Sequence, residues 1–240
     1  MAGRYVVLCV VLALLGLSCT PEKRIDAPRK SSPVVVLTAR PQELSQEQRT
    51  ELGFPPHIIA QVEAAAAAHA EPFFETVLMP SQNLKGDVMI MRERLAGFSV
   101  RTRKAEKLFA SLADTLRPQG YLIFRSEQNY GSVPDLVTVI RGASEYDILT
   151  MQKTEARNYK LTTTAIIRWL KAQRKRASFV ITGAGQDWVE ARFTKPPKDM
   201  YDFALRVYSF APDVVHQGAG TVGKLAAQMK KANGFYLWWD

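Results

Sequence analysis

Four side chains in the C-terminal third could act as acids, bases or hydrogen-bonding groups. Asp187 and Glu190 lie three positions apart, and Asp213 lies three positions before His216. Such groups can move protons in the hydrolysis of glycan or cell-wall material, provided that they meet in one pocket. Residues three apart on a strand face opposite sides, so Asp187 and Glu190 would be poor partners there. A cell-wall or glycan hydrolase using these four residues remains an alternative.

The motifs of several enzyme classes do not occur in this sequence. There is no Gly-x-Ser-x-Gly and no His-Glu-x-x-His, and residues 183–185 lack the lysine of a phosphate-binding P-loop. The two cysteines are Cys9 and Cys19, and the three histidines are widely spaced. We therefore expect no metal and no cofactor, and we favour binding over catalysis.

Two glycine-rich connections carry the residues that we expect to form a binding site. Residues 183–188 and 213–220 are polar segments at the ends of predicted elements of one sheet, where binding residues collect. We expect the two connections to lie near each other, with the indole as a flat contact and the polar groups as hydrogen-bonding partners. Each residue taken singly is also explained by turn formation or helix capping. The five predicted binding residues are Asp187, Trp188, Asp213, His216 and Gln217.

The first nineteen residues indicate where the protein works. Arg4 gives a basic start, and residues 5–17 are almost wholly apolar. This run is shorter than the roughly 20 residues that span a bilayer, although a transmembrane anchor is the alternative. The segment resembles a bacterial lipoprotein signal, in which a cysteine becomes lipidated. We expect residues 1–18 to be a signal peptide and Cys19 to be lipidated, with palmitate among its acyl chains. The protein would then lie in the cell envelope, anchored in the outer membrane and facing the periplasm.

The remainder divides into three predicted parts. Residues 19–33 carry the lipidated cysteine and a polar, proline-bearing segment, which predicts a flexible tether. Residues 34–119 form a predicted N-terminal α/β extension, beginning with a short strand at residues 34–37. Residues 120–240 form a predicted C-terminal α+β domain.

The pattern of elements predicts an α+β fold. Ser45 and Gln48 have the spacing of a capping box, and residues 104–116 are amphipathic with helical periodicity. Residues 121–124 and 136–140 read as strands, and the apolar residues 235–239 predict a closing strand within the sheet. Neither a uniform βα repeat nor a pure run of strands occurs. This indicates a mixed β-sheet layered with helices.

The chain has a formal net charge of +9, and its densest basic cluster is residues 168–176. The spacing of Ile166, Ile167 and Leu170 gives the predicted helix an apolar side, so the cluster fits a solvated helix face. The alternative is an anionic-polymer binder that uses this basic helix for lipid headgroups or cell-wall polymers. We expect no nucleic-acid partner.

The C-terminal half contains several uncommon sequence motifs, and the last of them is Tyr236-Leu237-Trp238-Trp239-Asp240. It resembles an uncharacterised bacterial family, domain of unknown function 4253, over residues 120–240. Ala211 stands where many members of that family carry cysteine. Because the family has no established activity, the resemblance implies fold and kinship rather than chemistry. The other matching words are residues 144–149 (SEYDIL), 158–159 (NY), 182–190 (TGAGQDWVE) and 208–222 (YSFAPDVVHQGAGTV).

These observations together favour a non-enzymatic, lipid-anchored binding protein. Its membrane contact would be the lipid anchor, and its partner an unidentified protein. An immunity-type role, in which the domain neutralises a delivered toxin, is attractive by analogy with other small α+β domains.

Overall fold

The structure, a computed structural model, describes residues 43–80 and 88–240. The predicted signal peptide, the lipidation site Cys19, the tether and the predicted strand at residues 34–37 lie outside the described residues. The described strands are β1 (Glu71–Pro80), β2 (Val88–Thr102), β3 (Tyr121–Glu127), β4 (Asp135–Arg141), β5 (Ser178–Ala184), β6 (Trp188–Lys195) and β7 (Gly234–Trp238). The described helices are α1 (Gln46–Leu52), α2 (Pro56–Ala66), α3 (Ala105–Leu116), α4 (Tyr146–Gln152), α5 (Thr163–Gln173), α6 (Met200–Phe210) and α7 (Val222–Ala232).

The strands form one mixed sheet in the order β1-β2-β4-β3-β5-β6-β7. Neighbouring strands are antiparallel except β3 and β5, which run parallel and pair at Arg125 and Gly183. The predicted α+β fold is confirmed, and so is the position of the C-terminal strand within the sheet. Strands from both sides of Gly120 pair in this sheet, and the proposed domain boundary at that residue stays a prediction.

Alternate residues of β3 enter two different cores, one on each face of the sheet. Tyr121 and Ile123 pack with α3, whose Leu108, Leu112 and Leu116 recur at helical spacing. The helices α1 and α2 complete this first core over β2, β4 and β3. No residue of β5, β6 or β7 belongs to this core among the described residues, so it ends at β3.

The second core lies on the opposite face of the sheet. Leu122 and Phe124 of β3 enter it, and helices α4 to α7 cover it. Phe235 of β7 packs edge-on against Phe179, with ring centroids 5.0 Å apart, and against Phe203, with centroids 5.4 Å apart. The apolar closing strand is therefore tied to the sheet by its side chains as well as by its backbone.

The helix α1 begins where its sequence predicts. Ser45 and Gln48 form a reciprocal capping box at the start of α1.

Within residues 43–80 and 88–240, no helix has the length and apolar character needed to cross a bilayer.

Candidate functional site

A crevice opens where the parallel strands β3 and β5 end. The chain leaves β3 toward β4 on one side and leaves β5 toward β6 on the other side. Ligands of open α/β sheets bind outside the carboxyl ends of parallel strands at such a switch of direction. The end of β3 supplies Glu127 and Gln128, and the connection after β5 supplies Gly185 and Gln186. This crevice is the first place in the fold where a binding site is expected.

Three cavities adjoin at this end of the sheet. The central cavity, about 400 Å³, occupies the crevice. It shares Gln128 with the edge cavity, about 300 Å³, which reaches Glu190 and Tyr236. It shares Gln186 with the C-terminal cavity, about 400 Å³, which reaches Asp187. We call the row of three cavities the groove.

The last residue of α4, Gln152, and the nearby Thr154 hold the connection between β5 and β6 in place. Gln152 Nε2 donates to the carbonyl of Ala184, and Thr154 Oγ1 donates to the carbonyl of Gly185, each over 2.7 Å. Both donor side chains are buried. A connection held by buried hydrogen bonds gives the groove a fixed wall, because breaking either bond would leave a polar group unsatisfied.

Trp188 lies over this connection because two glycines leave room for its indole. A Cβ atom on Gly185 would overlap the indole, and one on Gly183 would lie 2.9 Å from Trp188 Cζ3. The indole also stacks on the ring of Tyr236, with centroids 5.6 Å apart and planes 15° apart. Trp188 is half-buried and lines the central cavity, so its exposed part is a flat aromatic surface there.

Tyr130 stands at the mouth of the edge cavity on the loop between β3 and β4. Its side chain is 79% exposed and its φ is +48°, in the left-handed region that non-glycine residues rarely adopt. Gly131 follows with a φ of +83°, and the amide of Ser132 donates to the carbonyl of Asn129 at 3.0 Å, so Tyr130 is one of the two central residues of a tight turn that fixes this conformation. Burial and a hydrogen bond with Tyr130 raise the pKa of Tyr236 far above its ordinary range. The nearby Gln128 Oε1 is buried and has no hydrogen-bond partner among the described residues.

A network of ion pairs around the buried Arg125 adjoins the groove at Glu190. Arg125 is 7% exposed, and its guanidinium binds Glu190, Glu106 at 2.9 Å and Asp135 at 3.1 Å. Arg192 pairs with the same Glu106 at the surface. These contacts bring β3, β4, β6 and α3 together. They are built from groups that are far apart in sequence.

Within this network, attraction between opposite charges offsets part of the free-energy cost of burying them. Burial disfavours the charge of Arg125, but Glu190 and Glu106 hold the pKa of Arg125 above its ordinary value. Burial raises the pKa of Glu190, although Arg125 favours its ionised form. The carboxylate of Glu190 is therefore engaged in an ion pair with Arg125 inside the fold.

The two predicted binding connections meet at the last residues of the chain. The amide of Trp239 donates to the carbonyl of Asp187 at 3.1 Å, and the amide of Asp240 donates to Asp213 Oδ2 at 3.0 Å. Tyr159 donates from its hydroxyl to Asp213 Oδ1 at 2.8 Å. Asp213 is 5% exposed, so its carboxylate acts as an internal junction between these segments.

Asp187 faces the C-terminal cavity rather than the interior. Burial raises the pKa of Asp187, and the carboxylate of Asp240 adds to this effect. The same cavity is lined by Lys153, Glu155 and Arg157, so charges of both signs surround it. It is suited to polar groups that can donate as well as accept hydrogen bonds.

The remaining predicted binding residues lie apart from the groove. His216 Nε2 lies 2.9 Å from the hydroxyl of Tyr208, and both His216 and Gln217 are exposed on the π-helical turn Val214–Ala219. Neither residue lines any of the three cavities among the residues that the structure describes.

The four residues considered for hydrolysis have separate surroundings. Glu190 contacts Arg125, Asp213 contacts Tyr159, and His216 contacts Tyr208, while Asp187 faces the C-terminal cavity. In the described part of the chain, no three His, Cys, Asp or Glu residues come together as a metal site would require.

Sequence reasoning missed four residues that shape the groove: Arg125, Gln128, Tyr130 and Tyr236. Only one of them gives a signal, because Arg125 continues the alternation of Tyr121 and Ile123 on β3 and so places a charge at an inward position. The other three acquire their roles from neighbours on distant strands.

Residues 136–240 match the family model described as Domain of unknown function (DUF4253). The resemblance that the C-terminal words indicate is confirmed over those residues. The match begins in β4 and includes β5, β6 and β7, whereas β3, which lies between β4 and β5 in the sheet, precedes it. No curated protein and no solved structure matches the chain.

Proposed function

We propose that this chain is a non-enzymatic envelope lipoprotein whose domain captures a protein partner along the groove. The observation that carries the proposal is the aromatic surface there. Tyr130 projects from the edge cavity, and Trp188 presents a flat face in the adjoining central cavity. Tyrosine and tryptophan supply much of the binding energy at protein interfaces, because they bury a large area with few rotatable bonds.

The shape of the groove favours a polypeptide over a compact small molecule. Three open cavities adjoin along one end of the sheet, and each has its own mixture of apolar and polar walls. An extended segment of a partner could place successive side chains in successive cavities, as peptide-binding domains do. Gln128 lines both the edge and the central cavity, so a segment that crosses from one to the other would pass this side chain.

Two of the carboxylates considered for hydrolysis, Glu190 and Asp213, are already engaged within the fold, which favours binding over catalysis. Glu190 is engaged by Arg125, and Asp213 accepts hydrogen bonds from Tyr159 and from the amide of Asp240. A general acid or base must be free to exchange a proton with a substrate. These two groups instead stabilise the positions of the elements that frame the groove.

Export and lipidation at Cys19 are the cellular part of the proposal. They rest on the basic start, the apolar run and the cysteine that follows it. A lipid anchor would hold the groove at the membrane surface, in reach of other envelope or incoming proteins. An immunity-type role is the specific form in which the captured partner is a delivered toxin.

Site-specific photocrosslinking in cells tests the proposal. A photoreactive benzoylphenylalanine replaces Tyr130 in the full chain, and a control chain carries it in place of Tyr201, which is 53% exposed on α6. We expect a discrete protein adduct from position 130 and none of the same mass from position 201. The same adduct from both positions, or none from position 130, would contradict protein capture in the groove. The immunity-type form further requires that the crosslinked partner be toxic to cells that lack this chain.

A further inference from the structure

A strongly basic cavity lies apart from the groove. It has a volume of about 530 Å³ and is formed by the segment between α5 and β5 and the connection between β6 and α6. Lys175 and Arg176 line one side, and Lys195 and Lys198 line the other. None of these four residues lines any of the cavities that form the groove. We call it the basic cavity.

The four cations have no ion-pair partner among the described residues. Each is exposed, and each lies outside the ion pairs that the structure forms. Arg174 is different, because its guanidinium pairs with Glu145 and donates to the carbonyl of Phe179 at 2.7 Å. Arg174 therefore forms a fixed wall, while the other four leave their positive charge available.

The two carboxylates that line the basic cavity are already engaged. Asp199 accepts hydrogen bonds from the amides of Tyr201 at 2.8 Å and Asp202 at 3.0 Å, where it caps α6. Asp202 itself pairs with Arg206 at 3.0 Å. The Asp202–Arg206 pair and the Arg174–Glu145 pair are each counted as neutral. The four positive charges of the unpaired lysines and arginine then outnumber the single negative charge of Asp199. The basic cavity is thus net positive.

The backbone restricts how far the basic side chains can separate. Pro196 and Pro197 lie between Lys195 and Lys198, and each proline ring fixes its own φ. Across the cavity, the amide of Arg176 donates to the carbonyl of Gln173 at 2.9 Å, which ends α5 in a tight turn. Four positive charges are thereby held around one cavity instead of being dispersed by a flexible loop.

We infer that the basic cavity binds phosphate groups, either of a lipid headgroup or of a free phosphate polymer. Lysine ammonium and arginine guanidinium groups are the usual protein donors to phosphate oxygens. The volume lies within the range of about 300 to 1,000 Å³ typical of ligand sites, so it can hold more than one phosphate. This function is independent of protein capture by the groove, because the two sites share no lining residue.

The test uses the full chain and two triple variants of equal net charge. The site variant carries Lys175→Gln, Lys195→Gln and Lys198→Gln. The control variant carries the same change at three exposed lysines of α7, which have no ion pairs among the described residues. The control positions are Lys224, Lys230 and Lys231. Melting temperatures of both variants should match that of the parent chain, since every substituted side chain is exposed.

Two probes distinguish the source of the phosphate. Inorganic polyphosphate measures binding to a free polymer, and vesicles of phosphatidylglycerol measure binding to a lipid surface. Phosphatidylcholine vesicles, whose headgroup is zwitterionic, subtract any attachment through the apolar N-terminal segment. Poly-glutamate serves as a polyanion without phosphate.

We expect the site variant to bind at least one phosphate probe on the order of 100-fold more weakly than the parent chain, and the control variant to bind nearly as well as the parent. Binding only to polyphosphate supports a free ligand, and binding only to phosphatidylglycerol supports a membrane surface. The inference is overturned if both triple variants lose affinity equally. It is also overturned if the parent chain binds poly-glutamate as tightly as the phosphate probes, or if it binds neither phosphate probe.

Discussion

Replacing Arg125 with methionine removes a cation that three carboxylates share between the sheet and α3. Its side chain is 7% exposed and contacts Glu106, Asp135 and Glu190. Breaking a buried ion pair by removing one partner costs about 3 to 5 kcal/mol, because the remaining charge is left without compensation. We expect a loss of this size in the free energy of unfolding of the Arg125→Met variant near pH 7.5.

The loss should depend on pH through Glu190. Burial already raises the pKa of Glu190 in the folded protein, and removing Arg125 takes away a partner that opposes this shift. The folded variant then keeps a proton on Glu190 at pH values where the unfolded chain has released it. Raising the pH through that range lowers stability, so the destabilisation should be smaller at pH 5 than at pH 7.5.

Arg192→Met is the matched control. Arg192 also pairs with Glu106, but its side chain is 45% exposed and that of Glu106 is 47% exposed. An exposed ion pair contributes about 0 to 1 kcal/mol, so this variant should stay within that range of the parent. Urea unfolding, followed by circular dichroism at both pH values, measures all three chains. Equal losses in the two variants, or a larger loss at pH 5 for Arg125→Met, would refute the reasoning.

Three further predictions concern the anchor, the closing strand and the acidic junction. Cys19→Ser should move the protein from the membrane fraction to the soluble fraction in cell fractionation; an unchanged membrane fraction would indicate an anchor other than the lipid. Deleting residues 235–240 should abolish the cooperative unfolding transition, since three of them are buried core residues; a retained transition would contradict this. Asp213→Ala should cost about 1 to 3 kcal/mol in urea unfolding, because the buried Asp213 carboxylate accepts hydrogen bonds from the Tyr159 hydroxyl and the Asp240 amide, and both bonds are lost; Gln217→Ala on the exposed turn should cost less than about 0.5 kcal/mol. Equal costs for these two variants would mean that the junction does not stabilise the fold.

Local sequence was sufficient where the determining interactions are local. The capping box of Ser45 and Gln48 and the helix containing Leu108 and Leu112 follow from contacts within one turn of a helix. The apolar closing strand could also be placed in the sheet, because a segment with apolar residues at every position requires cover on both faces.

The groove depends on pairings that the sequence does not state. The sequence alone placed Arg125 near the end of a predicted strand. Its contacts with Glu106, Asp135 and Glu190 depend on the order and register of the strands and on the packing of α3. Tyr236 likewise meets Trp188 only because β7 pairs with β6 in one particular register.

The two lysine-bearing connections of the basic cavity show the same distinction. The sequence by itself revealed the basic cluster that includes Lys175 and Arg176, and its helical spacing predicted a charged, solvated face. It could not show that Lys195 and Lys198, about twenty residues later, line the same cavity. Spacing along the chain determines which side of one helix or strand a residue occupies, whereas the pairing of β5 with β6 decides which distant charges share a space.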